Sequence, residues 1–181
     1  MYRADTLKDK AVPSIGPQSP AQPVYSTARV TTSTEATRVD ERILRRMTPV
    51  DALSAAAALH LGFQLVVTAV VYPALAEVPD DDWPRAHDAH SRRITLVVGP
   101  VYGLLAAACL WVLVSGSTHP FVLISVAGAV ISALATAFGA APVHGDLGRT
   151  GRTLHLMGRL RSADRVRLGG AVLCAVFALL A

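Results

Sequence analysis

His87 and His90 stand three residues apart, a spacing that puts two imidazoles on one face of a helix. His144 and Asp146 are residue types that can complete a set with them, and Tyr72 and Arg93 flank apolar stretches that must end nearby. Neutral imidazoles in such a setting carry protons or bind substrate, and imidazoles with a carboxylate hold a metal or a haem iron. The same spacing also fits solvated side chains at a membrane interface. Tyr72, His87, His90, Arg93 and His144 are therefore the candidate catalytic residues, and pairwise spacing assigns no metal set. A second polar series, His60, Gln64, Thr68 and Tyr72, recurs every four residues and draws one polar stripe along an otherwise apolar helix. In lipid such residues face a bundle interior, a cavity or each other. His60 and Gln64 are thus candidates for lining a cofactor or ligand cavity, with hydrogen bonding between packed helices as the alternative. His60 lies about nine residues into its helix, ~14 Å at 1.5 Å per residue, and is expected to stand apart from the histidine cluster. His119 and His155 read as surface residues.

The elements that must position these groups are hydrophobic. Four stretches, about 52–76, 94–115, 121–141 and 166–181, are apolar enough for lipid, and three are charge-free over about the 20 residues that cross a ~30 Å hydrocarbon core. The first opens after Thr48-Pro49-Val50-Asp51, a cap with an acidic first turn, and ends near Pro73. Asp82-Trp83-Pro84 starts a polar turn that runs into the second span, where Gly99-Pro100 predicts a kink. Residues 115–120 allow only a tight connection between helices. Pro142 to Asp146 is expected to break the third helix, and the basic stretch 150–165, with Leu154, Met157 and Leu160 at helical spacing, to lie flat on the membrane surface. The last span is then short. Small residues at every fourth position, Gly99-Gly103-Ala107, Gly128-Ser132-Thr136-Ala140 and Gly170-Cys174-Ala178, predict close helix contacts. The expected fold is all-α: an antiparallel four-helix transmembrane bundle over residues 47–181, with a disordered N-terminal tail, 1–46.

Composition agrees. The chain has 181 residues, of which 52% are hydrophobic and 17% charged, with a mean hydropathy of +0.42, leaving little for a soluble domain. Residues 1–46 are rich in Pro, Ser, Thr and charge and lack the apolar core of a signal peptide. Arg45-Arg46 imitates a twin-arginine signal, but the apolar stretch that follows is too long and too polar for one; Met47 is an alternative start. Fifteen of the seventeen basic residues are arginine, a bias of GC-rich bacterial genomes. They flank hydrophobic segments, which favours anionic lipid rather than nucleic acid as partner. Nine arginines fall in the first and third loops, against four close to the first span on the other side (Arg38, Arg42, Arg45 and Arg46). The positive-inside bias therefore places the first and third loops of a cell-membrane protein in the cytoplasm. Cys109 and Cys174 sit in apolar segments as small core residues.

Gln64, Tyr72-Pro73, the run His87-Asp88-Ala89-His90-Ser91-Arg92-Arg93-Ile94, Pro100, Thr136, Pro142-Val143-His144-Gly145-Asp146-Leu147, and Leu160 with Asp164-Arg165 together resemble a group of small four-span bacterial membrane proteins. These are loosely similar to the domain-of-unknown-function family that contains the anthrone oxygenases. The likeness covers residues 53–181. The chain differs from those relatives at Asp164, where they usually carry Asn, and at Gly145, where Asn commonly follows the histidine. The resemblance implies the four-span fold and a site at the cytoplasmic histidines; oxygenation of a polyaromatic substrate follows from it only by analogy of fold. Two functions remain open from the sequence. In one, the bundle binds a small apolar molecule or cofactor and the histidine cluster serves an oxidoreductase. In the other, the protein is a non-enzymatic accessory or structural membrane protein. A transporter is less consistent with four spans and no internal repeat.

Overall fold

The computed structural model describes residues 47–181; the expected tail lies outside them. Every regular element among the described residues is helical. Helix α1 (Pro49–Ala76) begins with a reciprocal cap, in which the Thr48 hydroxyl accepts from the Asp51 N–H and the Asp51 carboxylate accepts from the Thr48 N–H. A single 3-10 turn, Asp80–Asp82, leads into α2 (Trp83–Val114), which runs unbroken through Pro100. Helix α3 spans Pro120–Thr150, and α4 spans Leu154–Leu179.

Two prolines that read as breaks are absorbed instead. Val67–Val71 ahead of Pro73 and Ala135–Ala140 ahead of Pro142 are π-helical turns. A proline has no N–H for the carbonyl one turn back and its ring crowds that carbonyl; a widened turn relieves both problems. Hence α3 continues past Pro142 to Thr150 and does not stop at residues 142–146.

The basic stretch 150–165 is not a separate surface helix. Thr153 caps α4 by accepting from the Leu156 N–H, and one helix of 26 residues follows, ~39 Å long at 1.5 Å per residue. Its buried stripe is continuous: Leu156, Leu160, Asp164, Arg167, Gly170, Cys174 and Ala178. That stripe binds the basic half to the bundle, while Arg159, Arg161 and Arg165 point off it. Helices α1, α2 with its preceding turn, and α3 are each long and apolar enough to cross a membrane. Helix α4 has the length, but charged residues fill its first half.

Leu53, Val112, Val122 and Ala178 gather the start of α1, the end of α2, the start of α3 and the end of α4 into one core cluster. Tyr72, Trp83, Val143, Leu147, Leu156 and Leu160 gather the opposite ends. The small-residue stripes of α3 and α4 face each other. A Cβ at Gly128 would lie 2.6 Å from the Cys174 nitrogen, and one at Gly170 2.7 Å from the Gly128 carbonyl oxygen. The α2 stripe behaves otherwise: Gly99 and Gly103 have open space where a Cβ would go, because α2 turns Val101, Leu105, Ala108 and Val112 inward.

Candidate functional site

The N-terminal turns of α2 bring His87 and His90 to the end of the bundle where α3 delivers His144. Unbroken helix through Pro142 aims His144 back at α2. Its Nδ1 lies 3.3 Å from His87 Nε2, and its ring is centred 5.8 Å from that of His90. On the other side of His144, its Nε2 is 3.5 Å from the Tyr72 hydroxyl. Tyr72 ends the polar stripe of α1, where the π-turn ahead of Pro73 sets its direction. Four of the five candidate catalytic residues, Tyr72, His87, His90 and His144, therefore converge. Arg93 is exposed and stands outside the group. Asp146 is ion-paired with Arg149, and among the described residues no three His, Cys, Asp or Glu side chains are arranged to hold a metal ion.

Two buried charges complete the site, and neither was singled out by spacing. Arg167 and Asp164 are 3% and 4% exposed. Arg167 Nη1 donates to the Tyr72 hydroxyl oxygen at 3.0 Å, and the Gln64 amide donates to Asp164 Oδ1 at 2.7 Å. Each charge on α4 thus has one neutral hydrogen-bond partner on the α1 polar stripe. The signal lay in α4 itself. Carrying the stripe Gly170, Cys174, Ala178 backwards by helical steps reaches Arg167, Asp164, Leu160 and Leu156, provided that α4 is one helix.

Donor counting orients the protons. A guanidinium cannot accept, so Tyr72 Oη accepts from Arg167 and its own proton is free for His144 Nε2. A neutral His144 then carries its proton on Nδ1 and offers it to His87 Nε2. The result is a file, Arg167, Tyr72, His144, His87, with donors and acceptors matched at every link. The three histidines lie beyond the apolar spans 94–115 and 121–141. Burial holds His144 down at about 4, with His87, His90 and Arg167 adding to the effect. Burial likewise lowers His87, against the opposing Asp88 carboxylate, and lowers His90, which also feels His87. All three imidazoles are therefore neutral near pH 7, able to accept a proton and pass one on.

A cleft of about 680 Å³ opens between the C-terminal turns of α1 and the N-terminal half of α4. Tyr72, Asp164 and Thr68 bring polar groups to it, Pro73, Ala76, Met157 and Leu160 are among its apolar walls, and Arg161 and Arg165 add positive charge. Its edge is stapled by Arg152, which donates to the Ala76 carbonyl at 2.7 Å and pairs with Asp80. The Arg152 guanidinium also lies 5.3 Å from the centre of the Trp83 ring. Trp83 in turn stacks on His87, so the loops at this end of the bundle are tied to the histidine file.

Of the residues expected to line a cofactor or ligand cavity, Gln64 reaches the cleft through Asp164. His60 stands apart: its Nε2 is 3.3 Å from the Ser132 hydroxyl and its ring packs edge-on against Tyr102. Tyr102 also bonds the Thr136 hydroxyl at 2.7 Å, which makes His60 part of a hydrogen-bonded junction between α1, α2 and α3. Comparison with protein-family models, curated proteins and solved structures returned no match.

Proposed function

We propose that this chain is a multi-pass membrane protein, an antiparallel four-helix bundle, that binds a small apolar molecule bearing an ionisable hydroxyl in the cleft between α1 and α4 and withdraws its proton. The observation that carries this reading is the matched file Arg167, Tyr72, His144, His87, whose Tyr72 opens onto the cleft. With the ligand hydroxyl on Tyr72 Oη, its proton passes to Tyr72 as the Tyr72 proton moves to His144 Nε2 and the His144 proton moves to His87 Nε2. An imidazolium is left at His87 and an oxyanion in the cleft, which accepts from the Tyr72 hydroxyl while the Arg167 guanidinium behind it donates to the same Tyr72 oxygen. Asp164 hydrogen-bonds a second donor of the ligand.

An aromatic oxyanion is electron-rich and more easily oxidised than its parent, so this step suits an oxidoreductase, and the resemblance to the family containing the anthrone oxygenases supports an aromatic ligand. On this reading the end of the bundle that carries the arginine-rich first and third loops faces the cytoplasm, beside anionic lipid, in keeping with the positive-inside bias.

The test uses 2-naphthol, an apolar aromatic alcohol whose neutral and ionised forms absorb at different wavelengths, titrated into the protein in mild detergent. Saturable binding with the absorption band of naphtholate is expected. Tyr72→Phe should abolish the naphtholate signal, and Asp164→Asn should weaken binding about tenfold, the equivalent of ~1.4 kcal/mol. Equal binding and equal ionisation in wild type and both variants would refute the assignment and favour an accessory protein whose polar groups serve packing.

A further inference from the structure

On the face of α4 turned away from the cleft, a second groove of about 800 Å³ runs between α3 and α4. It has a direction. His155 and Arg159 lie at the end nearest the start of α4, and Ser162, Phe138, Leu134 and Val166 follow toward the apolar part of the bundle. The groove is shallow-floored because Gly139 meets Ala163 with no room to spare: a Cβ on Gly139 would stand 3.0 Å from the Ala163 Cβ. The side chains along it are open to the surroundings, Phe138 at 77% and Leu154 at 90% exposed, although α3 is among the helices apolar enough to cross a membrane. Among the described residues neither Arg159 nor His155 makes an ion pair.

We infer that this groove is a binding site for one anionic phospholipid, its phosphate held by Arg159 with His155 and Ser162, and an acyl chain laid along Phe138, Leu134 and Val166. The assignment rests on charge complementarity and on order. A cation followed along one groove by apolar surface, cationic end outward, matches a phospholipid standing in its leaflet. Arginine is suited to a phosphate oxygen pair, and hydroxyl and imidazole donors fill the remaining acceptors. Apolar side chains left open on a helix that crosses lipid are covered by acyl chain at no hydrophobic cost.

The protein is incorporated into nanodiscs containing equal amounts of phosphatidylglycerol and phosphatidylcholine, released in the mass spectrometer, and the retained lipids are counted. Wild type is expected to hold one phosphatidylglycerol per chain in preference to phosphatidylcholine. Arg159→Gln, an exposed substitution that the fold tolerates, should cut that retention at least fivefold. Arg92→Gln, which removes the same charge from the same end of the bundle, should leave it unchanged. Full retention by Arg159→Gln, equal loss in both variants, no preference between the two lipids, or a dimer in place of a lipid adduct would each overturn the proposal.

Discussion

Arg167 changes what the neighbouring side chains can do. A guanidinium at 3% exposure donates a hydrogen bond to the Tyr72 hydroxyl oxygen; the same bond commits the tyrosine proton to His144 and so orders the file. The histidines carry a consequence for pH. Their affinity for protons is lower in the folded protein than in the unfolded chain, with His144 at about 4 against an ordinary ~6.5. Between those values the unfolded chain binds more protons, so stability falls as pH drops from about 6.5 toward 4 and is fully present above that window. Thermal unfolding in detergent should show a melting temperature that declines across this range. His144→Ala should flatten the decline; an unchanged slope in the variant would show that the acid sensitivity arises elsewhere. In the sequence, Tyr72, His87, His90 and His144 stand out because polar residues that border long apolar stretches are conspicuous. Arg93 belonged to the same run and turns outward, since it lies six residues past His87, on another face of α2.

The backbones of α3 and α4 meet closely at Gly128 and Gly170, and it is there that the glycines count. With Gly170 against the Gly128 carbonyl at 2.7 Å from any added Cβ, backbone would have to move to admit a methyl group. Gly170→Ala is therefore expected to cost about 1–3 kcal/mol, read as a lowered unfolding midpoint. Gly103→Ala, with open space at its Cβ position, should be neutral or slightly stabilising because alanine favours helix. The same fourfold spacing in α2 thus has a different meaning from that in α3 and α4. Spacing reports which residues share a face, and only the neighbours decide which face is covered. The π-turns make a similar point: Pro73 and Pro142 were visible as disruptions, but a helix with neighbours on both sides absorbs the disruption in one wide turn and continues.

All four helices place their histidine-end residues, Tyr72, Trp83, Val143 and Leu156, in one cluster. The 115–120 connection and the 77–82 and 151–153 segments then belong to opposite ends of the bundle. If the arginine-rich end faces the cytoplasm, Asp81→Cys in intact cells should resist an impermeant thiol reagent and react only after permeabilisation. Ser117→Cys should react from outside. The background cysteines, Cys174 buried and Cys109 half-buried, are replaced by alanine for this measurement. The reverse pattern would invert the orientation and place the histidine file at the outer face.

What the sequence determined by itself was the class and the element count: four apolar stretches make four helices, and three of those helices are long and apolar enough to cross a membrane. The polar stripe of α1 and the histidines at one end followed from the same periodicity. What the tertiary structure decided was the extent of α3 and α4 and the company of the charged residues. Read alone, residues 150–165 are a basic amphipathic segment, and surface lipid is the natural partner for one. Packed against α1, the segment becomes the first half of α4, because Gln64 and Tyr72 supply hydrogen bonds that make the interior acceptable to Asp164 and Arg167. Whether a buried charge is affordable depends on partners a hundred residues distant along the chain, and no local pattern contains them.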